Sequence, residues 1–363
     1  MAGASIYLDH NATAPLRDEA RAAMLDAMGP PLNASSIHDA GRKARYLVEQ
    51  ARGQIADALD ARHADITFTS GATESNNMVL AGFETIITSA VEHSAILAPR
   101  PDGIRIKVDE NGILSLDALD QTLATLDEAQ KSKTLVSVIA ANNETGTIQP
   151  LAEIGKICQT HKVAFHSDMV QMAGKVPTTI AIEGLSFASF SAHKIGGPSG
   201  VGALWIKPGL TLPAMLLGGG QEQGRRPGTE NALGIIGFGA AIKAANAGLS
   251  HYQEMASWRD EAEAELQDLR DDVTIMGRGA PRLPNTSSVA LSSVTSQTAL
   301  MSLDLKGFCL SSGSACSSGK VAASHVISAM GHSELAPHIL RISGGWTTKR
   351  DDFQMLVKTL ATL

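Results

Sequence analysis

Several side chains that could do chemistry directly follow short apolar runs of the sequence. In chain order they are Ala72 and Thr73 after the run 66–69, His93 after 84–90, Asn143 after 135–141, Asp168 and Gln171 after 163–166, and Ser191, His193 and Lys194 after 186–190. If these runs are parallel strands, the groups that follow them meet at one edge of a sheet. Ligands of α/β domains bind at that edge, so the order of these groups predicts a binding pocket.

These side chains suit a pyridoxal phosphate ligand. A lysine must hold the cofactor aldehyde as a Schiff base and a carboxylate must keep the ring nitrogen protonated, so we assign these tasks to Lys194 and Asp168. Backbone N–H groups at a helix start, at Ala72 and Thr73, would bind the phosphate. His93 would stack on the ring and transfer protons. Further phosphate donors beside the lysine are Ser191 and His193.

Each of these side chains also has an ordinary structural explanation. A lysine after a strand is most often a solvated surface residue, and an aspartate there most often caps a helix or turn. The sequence Gly-Ala-Thr-Glu at 71–74 is typical of any helix start. His93 fits a structural histidine as well as a catalytic one. The hypothesis therefore rests on the occurrence of all these groups together and in this order.

The three cysteines lie in different surroundings. Cys158 lies on a predicted helix and Cys309 in a short apolar stretch, so both fit the usual buried, unreactive thiol. Cys316 lies in the segment 311–319, Ser-Ser-Gly-Ser-Ala-Cys-Ser-Ser-Gly, whose small polar residues can bury little apolar surface. We therefore predict an exposed, mobile loop in which Cys316 is a nucleophile.

The elements that must position these groups follow from the hydrophobic spacing. Apolar residues three and four apart between His38 and Asp60 predict one helix with a buried face. The β-forming run Ile66–Thr69, followed by Gly71, predicts a strand, a turn and a helix start. Alternation of such runs with helical segments predicts an α/β domain with a mostly parallel sheet.

A chain of 363 residues exceeds the roughly 100–200 residues of an ordinary domain, so we predict two domains. After about residue 250 the pattern changes to that of a smaller α+β domain. Its predicted elements are a helix at 252–270 and strands at 273–276 and 287–291. We place a large cofactor-binding domain at 13–248 and a small domain at 1–12 and 249–363. The segment 6–8 is expected to pack with the small domain, which carries the Cys316 loop.

The composition argues against several classes of protein. A net charge of −7 offers no basic surface for nucleic acid, and no apolar run approaches the roughly 18 residues of a membrane span. The N-terminal stretch 1–15 lacks the basic start and apolar core of a signal peptide. We therefore expect a cytoplasmic protein that binds neither nucleic acid nor membrane. In a reducing compartment, an odd number of cysteines argues against a disulfide framework.

The segments together resemble the class V aminotransferase-like enzymes and, within them, the NifS/IscS-like cysteine desulfurases. The resemblance covers nearly the whole chain, in the segments 7–15 (YLDHNATAP), 69–76 (TSGATESN), 88–93 (TSAVEH), 142–146 (NNETG), 166–171 (HSDMVQ), 191–198 (SAHKIGGP), 226–231 (RPGTEN) and 311–316 (SSGSAC). It implies a pyridoxal-phosphate-dependent transferase fold of the aspartate aminotransferase type. It also implies pyridoxal 5′-phosphate as cofactor and L-cysteine as substrate.

The resemblance implies a role for each cofactor-binding residue. Lys194 would hold the cofactor and later move protons, Asp168 would pair with the pyridinium, and Gln171 would bond the phenolic oxygen of the ring. The phosphate would be held within the subunit by Thr73, Ser191 and His193. Thr229 would bind the same phosphate from the neighbouring subunit, which implies a homodimer.

Three further residues would act on the substrate. Asn143 and Arg341 would bind its carboxylate, with Arg341 forming a bidentate pair, and Asn143 would also bind the cofactor. Cys316 would attack the substrate sulfur and keep it as a persulfide. The sulfur would then pass to an iron–sulfur scaffold or another sulfur-acceptor protein, and alanine would leave.

The sequence departs from the family pattern in two places. Met169 follows Asp168 where relatives commonly carry a small alanine against the ring, so either the pocket is reshaped or Met169 turns aside. The sequence stops at Leu363, so we expect no longer C-terminal tail of the kind with which some relatives contact a scaffold.

Other functions remain open at this point. A selenocysteine lyase would use the same steps, and another class V aminotransferase-type enzyme would share the fold without needing the thiol of Cys316. A non-catalytic partner subunit would be expected to have lost Lys194, Asp168 or Cys316, and the sequence retains all three.

Overall fold

The computed structural model describes residues 5–313 and 323–363. Its strands are β1 (Ile6–Tyr7), β2 (Ile66–Thr69), β3 (Thr85–Ser89), β4 (Ile104–Ile106), β5 (Thr134–Ile139), β6 (Ala164–Asp168), β7 (Leu185–Ser191), β8 (Gly202–Ile206), β9 (Val273–Ile275), β10 (Thr286–Leu291), β11 (Phe308–Cys309) and β12 (Ile339–Ser343). Its helices are α1 (Asp18–Ala27), α2 (Asp39–Ala58), α3 (Ala72–Leu80), α4 (Ser94–Leu97), α5 (Leu116–Ala124), α6 (Glu128–Lys131), α7 (Leu151–His161), α8 (Ala232–Ala247), α9 (Leu249–Leu269), α10 (Ser296–Leu305), α11 (His325–Ala329) and α12 (Arg350–Leu360).

The main sheet has seven strands in the order β2-β8-β7-β6-β5-β3-β4. Strands β3 to β7 pair in parallel, whereas β8 runs antiparallel to both of its neighbours. Every residue of β5 and β7 is buried, as expected for strands covered on both faces. Only about ten residues connect β7 to β8, fewer than a parallel crossover needs, so β8 returns in the opposite direction.

Helices cover both faces of this sheet. On one face α2 and α8 pack together, and α2 buries Val48 and Ile55 at helical spacing. On the other face α3 packs against β7 and β8. Successive side chains of β7 point to opposite faces of the sheet. Phe187 packs on the side of α3 and Ala188 packs on the side of α2.

A second hydrophobic core forms around the C-terminal part of the chain. The antiparallel sheet β12-β10-β9 packs with α9 and α12. Strand β1 pairs in parallel with β11, and Leu8 is fully buried in this second core. The N-terminal segment therefore packs with the C-terminal part, as the sequence predicted. The domain boundaries at 13–248 and at 1–12 with 249–363 stay a prediction.

Among residues 5–313 and 323–363, no single helix is long and apolar enough to cross a membrane. Helices α8 and α9, which meet at a bend of 60°, pass that length and composition test only when they are taken together.

Close packing of two backbone segments requires a glycine at position 202. A Cβ on Gly202 would lie 2.6 Å from the Cα of Gly71 and 2.7 Å from the carbonyl oxygen of Phe190. Strand β8 therefore passes directly beside the turn that precedes α3.

We predict that Gly202→Ala lowers the free energy of unfolding by about 1–3 kcal/mol, because the added methyl group overpacks this contact. Gly220→Ala is the matched control, since a Cβ there meets nothing within 4 Å, and it should change stability by about 0.5 kcal/mol or less. Urea unfolding followed by circular dichroism measures both variants. Equal stability of the two would contradict the close approach.

Candidate active site

A cavity of about 720 Å³ opens at the carboxyl ends of the parallel strands. It brings together ten of the twelve site residues predicted from the sequence: Ala72, Thr73, His93, Asn143, Asp168, Gln171, Ser191, His193, Lys194 and Arg341. Thr229 is exposed and does not line the cavity of its own chain. Cys316 lies outside the described residues. The roles assigned to all twelve residues stay predictions.

Lys194 lies on a single turn just after β7. Its Nζ donates to two backbone carbonyl oxygens, those of Asn11 and Ala12, at 2.7 Å each. Burial, together with the positive charge of Arg341, lowers the pKa of Lys194 from 10.5 to about 8. Near neutral pH this amine is therefore neutral, and so nucleophilic, far more often than an ordinary lysine amine.

Asp168 is the last residue of β6, and its buried carboxylate is held from two sides. Oδ1 accepts from the backbone N–H of Val170 at 3.1 Å, and Oδ2 accepts from the Nδ2 of Asn76 at 2.8 Å. Asn76 lies on α3, and its own Oδ1 has no hydrogen-bond partner among the described residues. These bonds fix the carboxylate at the cavity wall, where it can pair with a buried cationic group.

The N-terminus of α3 forms another wall of the cavity. The first backbone N–H groups of a helix, here at Ala72 and Thr73, have no partner within the helix and carry the positive end of its dipole. Ser191 ends β7 nearby, and the Nδ1 of His193 lies 3.2 Å from the Oγ1 of Thr13. Burial and the charge of Lys194 lower the pKa of His193 to about 4. A neutral His193 and these N–H groups form a set of donors suited to a phosphate.

His93 precedes α4 and its ring is fixed by the helix start. Its Nδ1 accepts from the backbone N–H of Ala95 at 3.1 Å. Burial lowers the pKa of His93, while Asp168 opposes that shift and Lys194 adds to it. The neutral ring must therefore carry its proton on Nε2, because Nδ1 is an acceptor. His93 can donate a hydrogen bond from Nε2 within the cavity.

Glu92, next to His93, is buried, and the pKa of its carboxyl group is raised. Its Oε1 accepts from the Oγ of Ser89 at 2.5 Å and from the backbone N–H of Ile139 at 2.9 Å. Burial raises the pKa of Glu92 to about 8, and the negative charge of Asp168 adds to this shift. The carboxyl group is therefore mostly protonated at neutral pH. The sequence placed Glu92 among the polar groups that follow the strands, but we assigned it no role there.

Arg341 reaches the cavity from β12, which belongs to the second core. Its guanidinium donates to Asp9 Oδ1 at 2.8 Å and to the backbone oxygen of Asn143 at 3.2 Å. The buried Nε has no hydrogen-bond partner among the described residues. Arg341 is thus fixed in place, with donor capacity left for an anion.

Asn11 is the most connected residue that sequence reasoning missed. Its backbone oxygen accepts from Lys194 and from the Nε2 of Gln171, the latter at 3.0 Å. Its side-chain Oδ1 accepts from the Nζ of Lys175 at 2.8 Å. Asn11 lies in the segment 7–15 that carried the family resemblance, which was the only available signal.

Met169 does not enter the cavity. Its side chain is 1% exposed and packs in the core beneath the sheet, whereas Val170 lines the cavity beside Asp168. Of the two possibilities left open by the sequence, the structure shows that Met169 turns aside.

The two described cysteines differ from each other. Cys158 is fully buried on α7, and burial raises its pKa to about 12, which makes it the inert thiol that the sequence predicted. Cys309 is only half-buried in β11, so the expectation of a buried thiol there was too strong.

An open, mostly parallel sheet with a polar cavity at its carboxyl edge defines an α/β protein of the ligand-binding type. The family model for class V aminotransferases matches residues 6–356. The chain is 39% identical to cysteine desulfurase IscS of Dictyoglomus turgidum, over 98% of this chain and 93% of that protein. It is 41% identical to a cysteine desulfurase of Sinorhizobium fredii, over 90% and 87% of the two chains.

The chain is also similar to solved structures of NifS-like proteins. A NifS-like protein from Rickettsia africae superposes with a TM-score of 0.91 at 37% identity, over 99% of both chains. The chain therefore belongs to the class V aminotransferase family. The predicted aspartate aminotransferase-like fold is confirmed.

The buried carboxyl of Glu92 predicts a specific pH dependence of stability. The ordinary pKa of this carboxyl group is 4.5 and its pKa in the folded protein is about 8. At pH values between these two, Glu92 keeps its proton in the native state and loses it in the unfolded chain. The contribution of Glu92 to stability is therefore complete below pH 4.5 and is lost as the pH rises towards about 8.

We predict that Glu92→Gln removes this loss, because the amide keeps an oxygen acceptor and never ionises. The variant should gain stability relative to the wild type as the pH rises from 5 to about 8. Glu254→Gln, at an exposed position on α9, is the control and should leave the profile unchanged. Unfolding midpoints across this pH range provide the measurement, and parallel profiles for Glu92→Gln and the wild type would refute the assignment.

Proposed function

We propose that this chain is a pyridoxal-phosphate-dependent cysteine desulfurase that converts L-cysteine to L-alanine and transfers the sulfane sulfur to Cys316. The observation that carries this proposal is the meeting of three groups in one cavity. They are the amine of Lys194, the fixed carboxylate of Asp168 and the free N–H groups at the start of α3. The two relatives named cysteine desulfurase, 39% and 41% identical, support the substrate.

The cavity residues fit pyridoxal phosphate by their chemistry. A partly neutral lysine suits an aldehyde, a buried and hydrogen-bonded carboxylate suits a protonated ring nitrogen, and a helix N-terminus suits a phosphate. When bound, the cofactor supplies an electron sink for the negative charge that develops on the substrate α-carbon. Lys194 would hold the cofactor, Asp168 would face its ring nitrogen, and Gln171 would face its phenolic oxygen.

The protein's own residues would then handle the substrate and its protons. The guanidinium of Arg341 and the side chain of Asn143 would bind the substrate carboxylate and fix the orientation of the α-carbon. The neutral Nζ of Lys194 would accept the α-proton, and the Nε2–H of His93 would donate a hydrogen bond to the reacting groups.

Sulfur transfer would use the thiolate of Cys316. Its Sγ forms a bond to the substrate sulfur while the bond between that sulfur and the β-carbon breaks. The electron pair remains with the carbon skeleton, which takes up protons and leaves as alanine. The products are one alanine and one enzyme persulfide for each cysteine consumed, and no external oxidant is needed.

We also propose that the enzyme is a cytoplasmic homodimer that supplies sulfur for iron–sulfur cluster assembly or thiolation. Large apolar side chains near the segment that carries Thr229 support the dimer. Leu217 is 92% exposed and Leu216 is 50% exposed in the single chain. A second subunit that covers them would also bring Thr229 of the partner subunit towards the phosphate.

The lowered pKa of Lys194 predicts the pH dependence of cofactor loading. Only the neutral amine attacks the aldehyde, so the loading rate of the apo protein should rise with pH and level off above about 8. Arg341→Gln removes a positive charge that lowers this pKa, so its profile should move to higher pH. At pH 7 it should load roughly two- to tenfold more slowly.

The matched control is Arg21→Gln, which removes an exposed arginine that pairs with Asp18. Its loading profile should coincide with that of the wild type. A wild-type midpoint near the ordinary lysine value of 10.5 would contradict the assignment. Stopped-flow absorbance of the bound cofactor measures all three proteins.

The desulfurase reaction is tested by product analysis. With L-cysteine and a reductant, the loaded wild type should release alanine and sulfide in equal amounts. Cys316→Ser should keep the cofactor and lose persulfide formation by on the order of 10³-fold, because the nucleophile is absent. Cys309→Ser is the control and should retain turnover. Release of sulfide by Cys316→Ser would refute the nucleophile, and turnover of L-selenocysteine alone would refute the desulfurase.

A further inference from the structure

A lysine is buried directly behind the cavity. Lys175 is 2% exposed and lies in the turn region that follows β6. Its Nζ donates to Asn11 Oδ1 at 2.8 Å and to Gln171 Oε1 at 2.5 Å. No salt bridge of Lys175 occurs in the part of the chain that the structure describes. Burying a lysine amine without a carboxylate partner lowers stability. We therefore expect Lys175 to have a specific function at this position.

The bond from Lys175 determines what Gln171 can offer to a ligand. Gln171 lines the cavity, and an amide has one oxygen acceptor and two N–H donors. The oxygen accepts from Lys175, and one N–H of Nε2 is given to the Asn11 backbone oxygen at 3.0 Å. Because Lys175 lies outside the cavity lining and holds the oxygen, we assign the second N–H of Gln171 to the cavity, where it presents a donor.

The same lysine holds Asn11, whose backbone contacts Lys194. The Oδ1 of Asn11 accepts from Lys175, and its Nδ2 donates to Thr286 Oγ1 at 2.9 Å. With the side chain fixed at both ends, the Asn11 backbone oxygen stays 2.7 Å from the Nζ of Lys194. Lys175 therefore bonds two residues that each contact the cavity, and it does not line the cavity itself.

We propose that Lys175 is a positioning residue that fixes the amide of Gln171 as a hydrogen-bond donor to the phenolic oxygen of the bound cofactor. This inference rests on the proposed function, because it assumes that pyridoxal phosphate occupies the cavity. Lys175 acts through Gln171 and does not touch the cofactor.

The surroundings of Lys175 explain how it can do this without a counter-ion. Burial, together with the positive charges of Lys194 and Arg341, lowers the pKa of Lys175 well below its ordinary value. Its amine donates to two acceptors, Asn11 Oδ1 and Gln171 Oε1. Its contribution is therefore a pair of directed hydrogen bonds, and a neutral donor of similar shape should replace it in part.

The test uses the pH midpoint at which the visible absorption band of bound pyridoxal phosphate changes. A donor at the phenolic oxygen stabilises the deprotonated form of the bound cofactor, which carries more negative charge on that oxygen. Lys175→Met should therefore raise the midpoint by about one pH unit, the size expected for the loss of one hydrogen bond to a charged group. Lys175→Gln, which is also neutral but keeps N–H donors, should recover at least half of this shift.

A double-mutant comparison separates positioning from a general effect of the lysine. In a Gln171→Ala background the group through which Lys175 acts is missing, so Lys175→Met should add no further shift. A shift that persists in that background would overturn the proposal, as would an unchanged midpoint in a folded Lys175→Met protein. If Lys175→Met fails to fold, Lys175→Gln is compared with and without Gln171→Ala by the same criterion.

The readout also distinguishes this inference from the proposed function. It requires cofactor binding but no turnover, so it remains valid whichever substrate is used. If the wild type binds no pyridoxal phosphate, the proposed function fails and this inference fails with it. If the wild type binds the cofactor and the Lys175 variants match it, only the inference about Lys175 is refuted.

Discussion

The backbone oxygen of Asn11 is the acceptor on which the geometry of the site depends. It holds the Nζ of Lys194 at 2.7 Å and the Nε2 of Gln171 at 3.0 Å, and these residues come from two different strand ends of the large sheet. The backbone N–H of Asn11 donates to Ser343 Oγ at the end of β12. A single residue near the N-terminus thus connects the seven-stranded sheet to the second core, and the cavity exists because those two parts meet there.

This meeting concentrates positive charge around the cavity. Beyond the effect of burial, the charges of Lys194 and Arg341 lower the pKa of Lys175, the charge of Arg341 lowers the pKa of Lys194, and both lysines lower the pKa of His193. Mutual repulsion of buried cations costs stability unless anions compensate it. Asp168 and Asp9 supply part of this compensation. An anionic ligand bound in the cavity would supply further compensation.

The sequence predicted the parts of the fold and site that follow from local pattern. Asp168 and Lys194 could be found because polar residues at the ends of parallel strands converge on one edge, whatever the details of packing. Asn76, Asn11 and Lys175 could not be found in this way. Asn76 reaches Asp168 across 92 residues, and Lys175 reaches Asn11 across 164 residues. Such contacts depend on how α3 and the N-terminal segment pack, which local periodicity does not contain.

The behaviour of Met169 shows a second limit of sequence reasoning. Strand alternation assigns neighbouring side chains to opposite faces, but β6 ends at Asp168 and the chain then turns. In that turn the backbone N–H of Met169 donates to the backbone oxygen of Ser189, and the backbone N–H of Val170 donates to the Asp168 carboxylate. These bonds direct the Met169 side chain under the sheet and leave Val170 at the cavity. Val170, two positions after the aspartate, therefore lines the cavity, and the bulky residue directly after the aspartate leaves the cavity open.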